Sequence, residues 1–258
     1  MATEMWAVAA AAVLLAAAAG FSAAALARKG RPWLLLSAAA RWGSIVALAV
    51  ALYLESAGRG GWSPQDLWQV TVSLSLATVA AHLALSWALG AGAGVPIADA
   101  VAAVLAVLAW LAIRPGGEDL DCLHRTLAYR VEWVLFLAGS GGAIIAGSAG
   151  LAAVLPWHWS RVGARRLLAG GSFLAVLAVG AGVVAGLWWT WQATGTLQPA
   201  DVRESWMAVV WLLAAMSATA WQLEKAAHRW AAGLALVAGS AAILGLLALP
   251  DLQRLMGL

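Results

Sequence analysis

The chain has 258 residues, of which 64% are hydrophobic and only 10% are charged, and its net charge is +3. A soluble domain carries about a quarter of its residues as charges, so a water-soluble globule is excluded. The small positive excess calls for no nucleic-acid partner.

A helix needs roughly 20 apolar residues to cross the hydrocarbon core, and such runs recur along the whole sequence. In order they are 5–27, 33–54, 67–90, 96–113, 127–154, 167–189, 204–222 and 230–249, the fourth being the shortest. Period-2 alternation is absent, which excludes a β-barrel, and no internal repeat is visible. The expected fold is all-α: a polytopic membrane helical bundle of about eight transmembrane helices, with residues 1–258 as a single domain. The first run contains "AAAAGFSAAALA" and could pass for a signal peptide. Its positive charges follow the apolar run instead of preceding it, which predicts an uncleaved helix with its amino end outside.

Orientation is set by Lys and Arg in short connections. Those at 28–32 (Arg28, Lys29, Arg31), 155–166 (Arg161, Arg165, Arg166) and 223–229 (Lys225, Arg229) hold eight cations, whereas 91–95 holds none. The opposite set holds about five, interleaved with most of the acids. The first set is therefore expected in the cytoplasm and both termini outside. The location implied is the inner cell membrane, with the lipid bilayer as the first partner.

Common chemistries are missing. The single Cys122 rules out a disulfide within the chain, and no C-x-x-C-H, Walker, H-E-x-x-H or G-x-S-x-G sequence occurs. Membrane helices associate through close backbone approach at small residues. The fifth run offers Gly139, Ala143 and Gly147 at four-residue spacing, and the sixth offers Gly182 and Gly186. Helix packing is the expected use; room for a flat cofactor is the alternative. Trp6, Trp33, Trp62, Trp110, Trp157, Trp159 and Trp230 lie near expected bilayer interfaces, where indole anchors a helix.

Ionisable groups within the runs are costly and therefore informative. His82 lies well inside the third run. A neutral imidazole bonded to a neighbouring helix and a metal or haem-iron ligand both remain open for it. Asp99 reads as a helix-end charge on the cytoplasmic side, and Arg130 and Glu132 as side chains reaching back to the outer surface.

Three outer segments bear candidate chemistry. "GGWSPQDLWQV" (60–70) leads into a helix through Ser63 and Pro64, with Asp66 near its start. "EDLDCLHRTLAYRVEW" (118–133) sets His124 at the mouth of the fifth helix, with Tyr129 just over a turn below. "GLWWTWQATGTLQPADVRESWMAVVW" (186–211) brackets Asp201, Arg203 and Glu204 with tryptophan, including Trp188, Trp189, Trp191, Trp206 and Trp211. Together they are expected to make a vestibule with indole walls, one imidazole and both charge signs. Aromatic walls suit a flat conjugated ligand, imidazole binds iron, and a guanidinium meets a propionate.

This arrangement resembles the cytochrome c assembly proteins, the haem-handling CcsA/CcmC group with its HemX-like relatives. Their outer segment runs roughly Trp-Gly-x-Tyr-Trp-x-Trp-Asp-Pro-Lys-Glu-Thr-Trp. Laid on it without gaps, Gly195 takes the glycine, Asp201 the aspartate, Arg203 the cation, Glu204 the glutamate and Trp206 the last tryptophan, with Trp211 matching an aromatic one turn on. "LHRTLAYRVEWVLFLAGSGGAI" resembles the histidine-led fifth helix, and "SPQDLWQVTVSLSL" the segment before the third. The resemblance covers about residues 60–248. It implies haem b held at the outer face by His124, with Trp189, Trp191 and the charged triplet around it and His82 as a further candidate. It also implies a cytochrome c maturation component as partner.

Departures from the pattern imply a second reading. The signature's tryptophans fall on Thr194, Gln198 and Ala200, its proline on Val202, and a histidine of the seventh helix on Thr219. No histidine follows the eighth run. The alternative is a haem-free relative serving as a structural or regulatory subunit of an electron-transfer or haem-synthesis complex. A small-solute transporter is disfavoured, because only His82 stands out as an ionisable group within the membrane.

Overall fold

The computed structural model describes residues 2–28, 30–58, 61–62, 66–91, 94–111, 126–155, 161–195, 202–223 and 228–247. Among them are eight helices: α1 (Ala2–Arg28), α2 (Arg31–Gly58), α3 (Leu67–Ala88), α4 (Pro96–Leu111), α5 (Leu127–Val154), α6 (Arg161–Thr194), α7 (Val202–Gln222) and α8 (His228–Leu247). Six of these, all but α4 and α7, are long and apolar enough to cross a membrane. The chain is a multi-pass helical membrane protein. α4 is apolar but has only 16 residues. α7 has the length, at 21 residues, but tryptophan, serine and a terminal glutamine dilute its hydropathy. α6 begins six residues before its apolar run, because Arg161, Arg165 and Arg166 continue the helix past the hydrocarbon.

α2 shows what the surroundings demand. It turns Ser37, Arg41, Ser44 and Glu55 inward and presents Leu35, Trp42, Val46 and Val50 outward. A helix on a water-facing surface does the reverse. Polar groups hide inside because the exterior cannot hydrogen-bond them.

α5 is the central helix, packed against α3, α6 and α8. Its glycines let three backbones approach it. A Cβ on Gly141 would stand 2.9 Å from the carbonyl of Ala77 on α3, and one on Gly142 would stand 2.9 Å from that of Gly171 on α6. One on Gly150 would stand 2.6 Å from that of Ala232 on α8. The four-residue series therefore divides: Gly139 faces Ala175 and Val179 of α6, whereas Gly147 faces Ala235 of α8. α1, α2 and α4 pack together on the other side of α3. There Val8, Leu15, Leu48, Trp68, Val72 and Val79 form a second apolar core.

Candidate functional site

At the end of the bundle where α5 and α7 begin, aromatic rings gather as expected, but they do not wall a vestibule. Trp189 is 7% exposed. Its ring lies 5.3 Å from that of Tyr129, which meets Trp133 edge-on at 6.2 Å; Trp133 meets Phe136 at 6.3 Å. These faces are occupied by one another. Trp206 donates its indole N–H to the carbonyl of Ala241 at 2.7 Å and packs its ring on Gly245. Trp211 donates to the carbonyl of Val176 at 3.0 Å. Trp188 and Trp191 are 53% and 54% exposed on the outside of the bundle. The tryptophan-rich segment thus ties α5 to α6 and α7 to its neighbours.

The remaining candidates here are distributed differently. His124 and Asp201 lie outside the described residues, as do Ser63, Pro64, Cys122, Trp157 and Trp159. Arg203 is described only as backbone in the first turn of α7, where Glu204 is half-buried. Gly195 ends α6 with φ +72°, its N–H bonded to the carbonyl of Trp191 at 2.9 Å. Asp66 caps α3, its carboxylate accepting from the N–H of Trp68 at 2.9 Å. Arg130 is exposed. Glu132 does not reach back to the surface: it is fully buried, its carboxylate against Gly186 of α6. Gly182 receives the Phe136 ring. The Gly182/Gly186 pair therefore accommodates side chains of α5, and the space considered for a flat cofactor is filled.

The most fully determined polar cluster lies toward the other end, within α1–α4. Arg41 donates through Nε to both carboxylate oxygens of Asp99, at 3.0 and 3.2 Å, and through Nη2 to Oδ2 at 2.8 Å. Nη2 also donates to the hydroxyl of Ser22 at 2.9 Å, which meets that of Ser37 at 2.7 Å. His82 Nδ1 lies 2.8 Å from Asp99 Oδ1, and its Nε2 accepts the backbone N–H of Val95 at 3.0 Å. Because Nε2 accepts a backbone donor, the imidazole is the neutral tautomer with its proton on Nδ1, aimed at Asp99.

One expectation changes, and of the two readings open for His82 the neutral imidazole bonded to a neighbouring helix is the one found. Asp99 is in the first turn of α4, yet it is no water-exposed helix-end charge: it is fully buried between a guanidinium and an imidazole. His82 has both ring nitrogens engaged, so neither offers iron a lone pair in this arrangement. Arg41 was not singled out by the sequence reading. One signal was available: an unaccompanied arginine ten residues into a spanning helix requires a carboxylate on another helix.

The cluster follows from the shortness of α4. A helix leaves its first N–H groups unpaired, and one starting below the end of its neighbours must find partners within the protein. His82 accepts the N–H of Val95, at the entrance to α4. Asp99 sits at the positive end of the helix dipole, and Arg41 balances its charge. Gly94 makes the approach feasible: with φ +71°, a Cβ there would collide with the imidazole and with Ser86. No nucleophile is activated by this geometry. It fastens four helices at one point. Among the described residues no group of three or more His, Cys, Asp or Glu side chains could hold a metal.

No protein-family model, curated protein or solved structure matches this chain.

Proposed function

We propose that the protein crosses the membrane eight times with both termini outside, and acts as a haem-free structural or regulatory subunit of a membrane electron-transfer or haem-synthesis complex. What supports this reading is the use made of the aromatic residues. Trp189, Tyr129, Trp133 and Phe136 spend their faces on each other, and the indole N–H groups of Trp206 and Trp211 bond to backbone carbonyls. These described residues do not fit a haem pocket, since no ring among them is held ready for a second flat partner. The buried Arg41–Asp99 pair is joined by the neutral His82, which also accepts from the entrance of α4, and this favours a fixed joint over a translocation path.

The resemblance to cytochrome c assembly proteins supports a second reading, haem b held at the outer face with His124 as axial ligand. One experiment separates them. Protein purified in mild detergent is reduced and its absorption spectrum compared with that of His124→Ala. The haem-free reading expects no difference at the Soret band; a b-type band that His124→Ala removes would replace it with the haem-handling reading.

A further inference from the structure

α3 and α6 both pack on α5 but scarcely on each other, and a groove of about 560 Å³ runs between them. Ala77, Ala80 and Ala84 of α3 form one wall and Leu174 of α6 the other, with Val134 and Leu137 of α5 between. The short side chains of α3 leave the space open. Toward the far end of α3 it closes, where Leu85 and Leu89 pack over Gly170 of α6. Among the described residues its lining comes from these three helices and Trp62 alone, so the groove faces sideways, toward the bilayer.

The end where α3 and α5 begin is polar. Trp62 stands there and donates its indole N–H to the hydroxyl of Ser73 at 3.1 Å. That bond occupies a lone pair of Ser73 and leaves the hydroxyl proton to be given elsewhere. A helical serine or threonine can return it to the carbonyl one turn back, as Thr71 and Thr78 do on the same helix. Among the described residues nothing accepts from Ser73, which lines the groove. Arg130 stands further out. It precedes Val134 by one turn, on the same face of α5, and its guanidinium reaches the chain beside Trp62: a Cβ on Gly61 would lie 3.5 Å from Nη2. Arg130 is exposed, and no carboxylate among the described residues pairs with it. α3 and α5 run parallel, with Gly141 against Ala77. Ser73 is therefore level with Leu137, and Arg130 leaves α5 about 10 Å nearer the polar end, at 1.5 Å per residue.

We propose that this groove holds one acyl chain of a glycerophospholipid, with its ester carbonyl on Ser73 and its phosphate on Arg130. The order along the groove is what selects the ligand: a guanidinium outermost, a hydroxyl donor below it, then an apolar channel. A glycerophospholipid carries phosphate, ester carbonyl and chain in that same order. A fatty acid has a single anionic end and no second acceptor beneath it. Guanidinium pairs with phosphate through paired N–H groups, and a lateral opening admits a molecule that arrives from the bilayer. The chain then completes the packing between α3 and α6. Ser73, Trp62 and Arg130 are none of the residues considered for haem, so the site does not depend on haem being bound.

The test uses the full chain, delipidated in neutral detergent, with dioleoyl phosphatidylglycerol, its ether-linked analogue or oleate added. Native mass spectrometry and thermal unfolding are the readouts. The ester lipid should be retained at one molecule per chain and raise the unfolding temperature, with the ether analogue and oleate both weaker. Arg130→Gln, at an exposed position, should weaken retention of both phospholipids about three- to tenfold. Ser73→Ala should weaken the ester lipid and leave the ether analogue unchanged, which separates the carbonyl bond from any loss of the Trp62 contact. Ala80→Leu fills the channel, so it should abolish retention while melting no lower than the lipid-free wild type. Equal retention by Arg130→Gln and Ala80→Leu would overturn the site. Equal binding of the ester and ether lipids by the wild type would overturn the role of Ser73, and oleate held as tightly as the phospholipid would replace it with a fatty acid.

Discussion

His82 of α3 caps the entrance to α4: its Nε2 accepts the backbone N–H of Val95 at 3.0 Å while its Nδ1 faces Asp99 at 2.8 Å. One side chain therefore supplies both the acceptor that a helix terminus lacks and the donor that a buried carboxylate needs. Replacing it by Leu should cost about 2–4 kcal/mol, since it leaves the Val95 N–H without its acceptor and weakens the support of Asp99. Gln, which carries both an acceptor and a donor, should recover part of that loss. Thermal unfolding in detergent checks the order wild type, Gln, Leu; equal melting of the two variants would show that the hydrogen bonds contribute little.

Gly94 and Gly195 offer a matched comparison. Their φ angles are +71° and +72°, but a Cβ on Gly195 would meet nothing within 4 Å, whereas one on Gly94 would strike His82 and Ser86. Gly195→Ala should cost only the left-handed strain, about 1–2 kcal/mol. Gly94→Ala should cost clearly more and lower the abundance of folded protein. Similar losses at both positions would mean that the loop moves away from His82 without penalty.

The ion pair makes a sharper claim. Arg41→Met leaves Asp99 buried without its counter-charge, and breaking such a pair costs about 3–5 kcal/mol. Adding Asp99→Asn removes the stranded charge and keeps an acceptor for the His82 N–H. The double variant should therefore be more stable than Arg41→Met alone. A double variant less stable than the single would show that Asp99 is held by groups other than Arg41.

Packing around α5 is tested by alanine at two glycines. Gly150→Ala puts a methyl 2.6 Å from the Ala232 carbonyl, so α5 and α8 must separate. Gly20→Ala meets nothing within 4 Å and should be neutral or stabilising by up to about 1 kcal/mol, the ordinary helix preference for alanine. Size-exclusion profiles and melting curves report both. The contact is looser than described if the two substitutions behave alike.

Topology can be read with carboxyl-terminal fusions. With both termini outside, alkaline phosphatase fused after Leu258 should be active and a cytoplasm-dependent fluorescent protein dark. The reverse result would invert the bundle or make the number of crossings odd.

Apolar run length determined the element list: all eight helices fall on the eight runs read from the sequence, because a segment in hydrocarbon must satisfy its own backbone. The glycines of the fifth run announced a tightly packed helix for the same local reason: removing a Cβ is visible in the residue itself. Tertiary structure alone decided which side chains meet. Arg41, His82 and Asp99 are 17 to 58 positions apart, and no periodicity within one helix says that another will bring a carboxylate to its arginine. The aromatic residues show the converse. Their abundance at one end was legible, but whether rings face a ligand or one another depends on how α5, α6 and α7 are set together. That is fixed where side chains lie on glycine: Phe136 and Glu132 of α5 on Gly182 and Gly186 of α6, and Trp206 of α7 on Gly245 of α8. Burial of a charge is a property of its partners on other helices, so composition could name Asp99 but only packing could enclose it.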